Sequence, residues 1–204
     1  MRITKAFLQS LLQPVIGIDE VGRGCLAGPV YAAAVIFKSE KDVTKYYDSK
    51  IIEHEEREKL ASSVLEHHHA EVGIASVEEV DRFNIREATF LAMRRAVEQL
   101  AVKHKITTGT LLVDGRDKIP DFESFQQLAI VDGDDKVRVI SAASLVAKVA
   151  RDRFMTDLSQ TVSHYGFEQH KGYGTKYHRE QIQKHGPSIW HRQTFSGVKE
   201  YLQN

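Results

Sequence analysis

The chain contains 204 residues, and 28 lysine and arginine side chains balance 28 acidic ones, so its formal net charge at pH 7 is zero. Because hydrophobic residues make up 42% of the chain, it has enough material for a core and is not expected to be disordered. The single cysteine, Cys25, excludes an internal disulfide and fits a reducing compartment, and the longest apolar run, around residues 29–37, is too short to span a bilayer. We expect a cytoplasmic protein that does not associate with membranes, and we take it to be a monomer.

The first predicted elements are two short apolar strands, at Val15–Ile18 and Val30–Phe37. Between them lie two adjacent acids, Asp19 and Glu20, followed by the glycine-rich segment 22–24. Charge at the edge of an apolar strand is costly unless a cation meets it. Glycines nearby allow tight turns and let the backbone approach a ligand closely. We therefore interpret this segment as the centre of a binding or catalytic site.

The remaining elements follow from periodicity and capping signals. In chain order we predict a helix at 53–66, a strand at 70–76, a short helix opened by a capping box at 76–79, a helix at 85–104, strands at 110–114 and 128–131, a helix at 139–158, and a tail from residue 161 with a helix near 177–184. This alternation predicts an α/β fold, in which helices cover a mixed sheet. The tail would form an appended C-terminal region.

Acids recur where apolar strands end. Asp114 follows the fourth strand, and Asp134 or a neighbouring acid follows the fifth. Strand ends tend to gather at one edge of a sheet, so these acids are expected to meet Asp19 and Glu20 there. Clustered carboxylates repel each other and need cations, and oxygen ligands favour Mg²⁺ or Mn²⁺. Two such ions about 4 Å apart can clamp the attacking and leaving oxygens of a phosphodiester.

Simpler interpretations stay open for several of these residues. Asp114 could be a turn former, and the acids at 132–135 could form a solvated turn that caps the next helix. The histidine run at 67–69 is expected to be solvated, since consecutive strand residues point to opposite faces. Cys25 is expected to be a small buried residue rather than a nucleophile.

The tail between residues 164 and 192 combines basic and aromatic side chains. It holds five lysines and arginines, namely Lys171, Lys176, Arg179, Lys184 and Arg192, against two acids, Glu168 and Glu180. Tyrosines, a phenylalanine and a tryptophan are interleaved with them. Such a mixture suits phosphate contact and stacking on a sugar or base, whereas a polar amphipathic appendage is the alternative.

Taken together, the motifs resemble one family closely, the type 2 ribonucleases H of the bacterial HII group. The matching blocks are 17–24 (GIDEVGRG), 26–30, 48–50, 84–85 with 88–89, 114–115, 133–134, 140–148 (ISAASLVAK), 151–152, 165–167, 170–175 (HKGYGT), 186–187, 191–192 and Phe195. They cover nearly the whole chain in the right order. This makes the resemblance far more specific than a single glycine-rich motif.

The resemblance implies a ribonuclease H-like, mixed five-stranded sheet flanked by helices, with a C-terminal helical extension. Residues 1–160 would form the catalytic domain and 161–204 the substrate-binding extension. The family hydrolyses the RNA strand of RNA–DNA hybrids and nicks at ribonucleotides embedded in duplex DNA, leaving 5′-phosphate and 3′-hydroxyl ends. It uses Mn²⁺ or Mg²⁺, with two ions when substrate is bound.

The resemblance also implies roles for individual residues. The catalytic and metal-binding acids would be Asp19, Glu20, Asp114 and Asp134. The backbone of Gly22, Arg23 and Gly24 would approach the 2′-hydroxyl, and Tyr173 would stack on the deoxyribose at the RNA–DNA junction. Contacts on the phosphate side would come from Ser49, Lys50, Ser144, Lys148 and Arg192.

Some positions depart from the family pattern. Asp132 and Asp135 stand where a basic residue and a serine are common, so the choice of Asp134 rests on its register with the segment 140–144. Two rival functions remain at this stage: a DNA-specific nuclease on the same fold, and a hybrid-binding module without catalysis. Gly22–Gly24 and Tyr173 argue against the first, and the four acids argue against the second.

Overall fold

The computed structural model describes residues 3–39, 43–46 and 53–202. Its sheet has five strands: β1 (Val15–Val21), β2 (Val30–Ile36), β3 (His69–Ala75), β4 (Thr110–Asp114) and β5 (Gln126–Ile130). They lie in the order β3-β2-β1-β4-β5, with β1 antiparallel to β2 and parallel to β4. The predicted α/β fold with a mixed five-stranded sheet is therefore confirmed.

Eight α-helices occur in the described part of the chain. They are α1 (Lys5–Ser10), α2 (His54–His67), α3 (Val77–Phe83), α4 (Ile85–His104), α5 (Gly133–Lys136), α6 (Arg138–Thr161), α7 (Phe167–His170) and α8 (Lys176–His185), with 3-10 turns at Val43–Lys45, Ser163–Tyr165 and Lys199–Tyr201. The capping box predicted at Ser76 and Glu79 opens α3, and the Asn84 side chain accepts hydrogen bonds at the start of α4. None of the described helices is long and apolar enough to cross a membrane.

Two apolar layers cover the sheet, one on each face. Helix α4 buries alanines at four-residue spacing, Ala88, Ala92 and Ala96, against one face, and α6 packs its small residues against the other. Glycines in the strands permit this close approach. A Cβ at Gly17 would lie 2.3 Å from the Val139 backbone of α6, a distance at which the helix would have to move.

Strand β1 is longer than the sequence predicts, and this places the acids differently. Pairing with β2 continues through Asp19 opposite Ala33 and Glu20 opposite Ala32, so both acids lie within the strand rather than after it. Hydrophobic patterning ends at Ile18, whereas the backbone ladder does not depend on side-chain polarity.

The C-terminal region does not lie apart from the sheet domain. Residues of the tail, Tyr165, Phe167, Ile182 and Val198, share one hydrophobic cluster with Leu26, Ala27 and Met155. The predicted boundary after residue 160 falls at the last turn of α6, and the division into two domains stays a prediction.

One prediction about the histidine run is wrong. His68 is buried, because it follows the end of α2 and its ring packs 4.7 Å from Phe37 and 5.6 Å from Tyr46. Burial lowers the pKa of its imidazole, and the neighbouring His67 lowers it further.

Candidate active site

One cavity of about 520 Å³ lies at the edge of the sheet where β1 and β4 end. Its lining includes all four predicted acids, Asp19, Glu20, Asp114 and Asp134, and six of the predicted substrate contacts, Gly22, Arg23, Gly24, Ser144, Lys148 and Tyr173. Two further predicted contacts, Ser49 and Lys50, lie outside the described residues. The remaining one, Arg192, does not line the cavity.

The sheet topology explains why distant acids meet. Strands β1 and β4 are parallel neighbours, with Ile18 beside Val113, so the next residues, Asp19 and Asp114, emerge at the same edge. Asp114 in turn accepts a hydrogen bond of 2.6 Å from the Gly133 amide, which fixes the start of α5. A Cβ at residue 133 would lie 3.0 Å from that carboxylate oxygen, so glycine suits this close approach.

Only one of the three neighbouring acids at α5 faces the cavity. Asp134 is 5% exposed and lines the cavity, whereas Asp132 and Asp135 face solvent. Asp132 lies 3.4 Å from the ammonium group of Lys136. The geometry therefore agrees with the register argument for Asp134.

The acids strongly affect one another. Burial raises the pKa of Asp19 well above its usual range, and the negative charges of Glu20 and Asp114 raise it further. Hydrogen bonds from Ser144 and from the Glu20 amide, 2.7 Å from Asp19 Oδ1, act in the opposite direction. Burial also raises the pKa of Glu20, while its ion pair of 3.1 Å with Arg23 lowers it. A cation placed among these carboxylates would relieve their repulsion.

The donor set fits a hard divalent cation. The four converging ligand groups are carboxylates, and oxygen ligands of this kind favour Mg²⁺ or Mn²⁺. Within the described ranges, no three His, Cys, Asp or Glu side chains are already spaced as a complete metal site. The fit therefore rests on donor chemistry and on the repulsion that raises the pKa of Asp19.

The prediction for Arg192 needs correction. Its side chain is fully buried, and its guanidinium donates hydrogen bonds to the carbonyl oxygens of Gly22 (2.7 Å), Arg23 (2.8 Å) and Gly28 (2.8 Å). Burial lowers the pKa of this guanidinium to about 10, so it stays charged at pH 7. Arg192 thus supports the glycine-rich loop (residues 22–28) from the protein interior instead of facing a phosphate.

A second buried arginine, Arg151 of α6, supports the same loop. Its guanidinium donates to the carbonyls of Ala27 (3.0 Å), Pro29 (3.0 Å) and Lys171 (2.8 Å). A Cβ at Gly22, whose φ is +95°, would lie 2.2 Å from Arg151 Nε. Glycine is therefore required there both for the backbone conformation and for space.

Sequence reasoning missed three contributors to the site. Arg57 of α2 lines the cavity, although the sequence predicts only a helix there. Arg151 and Asp152 were recognised only as part of a motif. Asp152 lies 2.6 Å from the Lys148 ammonium, one turn away on α6, so i,i+4 spacing was the available signal.

Comparisons with known proteins found a matching family, similar sequences and similar structures. A family model described as Ribonuclease HII matches residues 16–198. The ribonuclease HII of Fusobacterium nucleatum is 49% identical over 173 residues, which cover 84% of this chain and 80% of that protein. The ribonuclease HII of Pelagibacter ubique is 41% identical over 186 residues, covering 91% of this chain and 97% of that protein. Among solved structures, the complex of PCNA and RNase HII from Archaeoglobus fulgidus contains a chain similar to this one with a TM-score of 0.72 and 26% identity, covering 89% of this chain and 95% of the other.

Proposed function

The chain belongs to the ribonuclease HII family, which makes it an endonuclease of the ribonuclease H class, and we propose that Asp19, Glu20, Asp114 and Asp134 form its catalytic centre. It hydrolyses the RNA strand of RNA–DNA hybrids and nicks duplex DNA at embedded ribonucleotides, leaving 5′-phosphate and 3′-hydroxyl ends. The observation that carries the proposal is the convergence of acids from β1, β4 and α5 on one cavity.

These four carboxylates would hold the divalent metal, Mn²⁺ or Mg²⁺, as two ions in the presence of substrate. Bound there, such ions supply an activated water and stabilise charge on the departing oxygen. The chain's own residues do the rest. Arg23 orients the Glu20 carboxylate, and the amides of Glu20 and Gly133 hold the carboxylates of Asp19 and Asp114 in place.

The walls of the cavity suit a nucleic-acid backbone. Lys148 and Arg57 bring positive charge beside the acids, and we propose that Lys148 and Ser144 contact phosphate. Asp152 holds the Lys148 ammonium near the rim, since the pair is 2.6 Å apart. Ser49 and Lys50 stay predictions of the same kind.

Ribonucleotide selection is proposed to come from the loop Gly22–Gly24 and from Tyr173. Apart from its two chain neighbours, no atom of the described residues lies within 4 Å of a Cβ built on Gly24, so the backbone there is open to a sugar. The Tyr173 side chain is 44% exposed and lines the cavity, which leaves a ring face for stacking. A nuclease acting only on DNA would have no use for close backbone contact with a 2′-hydroxyl.

We also propose that the enzyme acts as a monomer in the cytoplasm. Its single cysteine is buried, in keeping with a reducing compartment. Sedimentation of the purified protein would test the monomer, because a concentration-independent dimer mass contradicts it.

The deciding experiment offers a DNA duplex that contains one ribonucleotide, with and without Mn²⁺ or Mg²⁺, and maps the nick. We expect cleavage beside the ribonucleotide only when a divalent ion is present, and a product with a 3′-hydroxyl. The matched control is the same duplex made entirely of DNA. Equal cleavage of both duplexes would favour the DNA-specific rival.

A further inference from the structure

Three histidines in the tail play no part in the proposed chemistry. His178 and His191 are fully buried, and His170 stacks on His178 with ring centroids 4.4 Å apart. The rings of Tyr165 and Phe167 enclose them, which leaves the imidazoles dependent on protein partners for their hydrogen bonds.

The partners fix the tautomer of the buried pair. The Ser188 amide donates to His191 Nδ1 at 2.9 Å, so Nδ1 carries no proton and Nε2 does. That Nε2–H points at His178 Nε2, 3.0 Å away, which must accept. His178 therefore carries its proton on Nδ1, where it donates to the Tyr173 carbonyl at 2.9 Å.

The same reasoning assigns the tautomer of His170. Its Nε2–H donates to the Tyr165 carbonyl at 2.7 Å, and its Nδ1 accepts from the Gly172 amide at 3.2 Å. Imidazoles thus bind the backbone on both sides of the Tyr173 side chain, His170 at the Gly172 amide and His178 at the Tyr173 carbonyl.

The opposite edge of this segment pairs with the glycine-rich loop. The backbones of Cys25 and Tyr173 form an isolated antiparallel β-bridge, and the Leu26 amide donates to the Gly172 carbonyl at 2.8 Å. The segment that carries His191 pairs with the same loop, because the backbones of Ala27 and His191 form a second antiparallel β-bridge. The pair His178–His191 therefore connects the two tail segments between which the loop is held.

We propose that His170, His178 and His191 are positioning residues that hold Tyr173 at the rim of the cavity and so set the preference for an RNA–DNA junction. This inference rests on the proposed function, in which Tyr173 stacks on the deoxyribose at the junction. This set of hydrogen bonds forms only when the three imidazoles are neutral. An added proton would place one N–H opposite another N–H at Ser188, at Gly172 or between His178 and His191.

The pKa values of the buried pair are in keeping with this arrangement. Burial lowers the pKa of His178 to about 4 and that of His191 to about 3. Both rings are therefore neutral at pH 7.

The test compares two substrates and two variants. The quantity measured is kcat/KM on a duplex with a single ribonucleotide divided by kcat/KM on a uniform RNA–DNA hybrid. We expect His178→Phe to lower this ratio roughly five- to tenfold, since Tyr173 loses a donor to its carbonyl. His178→Asn, whose amide can still donate to that carbonyl, should bring the ratio back toward the wild-type value.

His185→Phe is the matched control, because His185 ends the same helix and is exposed. It should leave the ratio unchanged. A folded His178→Phe variant with the wild-type ratio overturns the inference, as does equal loss on both substrates, which indicates a general structural role. If the wild-type protein itself does not nick the single-ribonucleotide duplex, the proposed function fails instead.

A measurement on the unmodified full chain does not depend on activity or on a variant that folds. Nitrogen-15 NMR of the imidazoles at pH 7 should show the Nδ1–H form for His178 and the Nε2–H forms for His170 and His191. A doubly protonated ring, or the opposite tautomer at His178, overturns the inference.

Discussion

The acidic edge of the sheet and the histidine cluster of the tail are both buried sets of titratable groups, and they are built in opposite ways. At the edge, the neighbours of Asp19 include two further carboxylates, which raise its pKa. In the tail, each imidazole finds a donor or acceptor of the right kind within the protein. The contrast suggests a rule for this molecule. Buried charges that repel one another indicate a ligand site, whereas buried groups with complete hydrogen bonds indicate a structural role.

The largest expected effect comes from a substitution at the acidic edge. Asp19→Asn should lower cleavage at least about a thousandfold, because a proposed metal ligand is lost. In metal-free buffer the same change should raise the free energy of unfolding by about 1 kcal/mol, since a buried repelled carboxylate becomes neutral. Cleavage assays and urea unfolding measure the two effects. A destabilised Asp19→Asn protein would show that the edge is not strained by charge.

The second prediction concerns the arginine behind the glycine-rich loop. Arg192→Met should lower the free energy of unfolding by about 3 kcal/mol, since the buried carbonyls of Gly22, Arg23 and Gly28 lose their donor. Thermal unfolding measures this loss. Arg116→Met at an exposed position is the control and should change stability little. Equal stabilities would contradict the supporting role of Arg192.

The third prediction separates the neighbouring acids of α5. Asp134→Asn should lower cleavage about a hundredfold, as expected for a lost metal-binding carboxylate, and should raise the Mn²⁺ concentration needed for activity. Asp135→Asn, at an exposed position, should behave like the unaltered protein. The metal dependence of the cleavage rate is the measurement, and the reverse ranking would refute the choice of Asp134.

The fourth prediction is a pH dependence of stability that has opposite signs in the two regions. In the folded protein His178 and His191 titrate near pH 4 and 3, below the usual 6.5, so the unfolded chain binds more protons and stability falls as pH drops below about 6.5. Between pH 7.5 and 5.5 the loss from the two histidines should be about 2.7 kcal/mol. The raised pKa of Asp19 acts oppositely and stabilises the fold as pH falls.

Unfolding measured in the Asp19→Asn background removes the opposing contribution of Asp19. There the loss of stability toward pH 5.5 should be larger than in the unaltered protein. A steeper loss in the unaltered protein would reverse the signs assigned to the two regions.

Much of the fold could be read from the sequence, because strands and helices follow local apolar periodicity and capping residues such as Asn84. The acids of β1 and β4 could be placed together, since strand ends tend to gather at one edge of a sheet. The family resemblance given by the motifs is confirmed by the family match.

The remainder depends on tertiary contacts that no local pattern encodes. Arg192 resembles a surface cation in sequence, and only the fold supplies the carbonyls that bury it. The extension of β1 follows from pairing with β2, and the contact between His178 and His191 crosses a turn. The burial of His68 likewise needed the positions of Phe37 and Tyr46.

The bonds from Arg192 to Gly22 and Gly28 join residues that are 170 and 164 positions apart. During synthesis the amino-terminal acids leave the ribosome long before this arginine exists. A nascent chain that ends before residue 192 therefore carries the acids without the guanidinium donors that hold the carbonyls of Gly22 and Gly28.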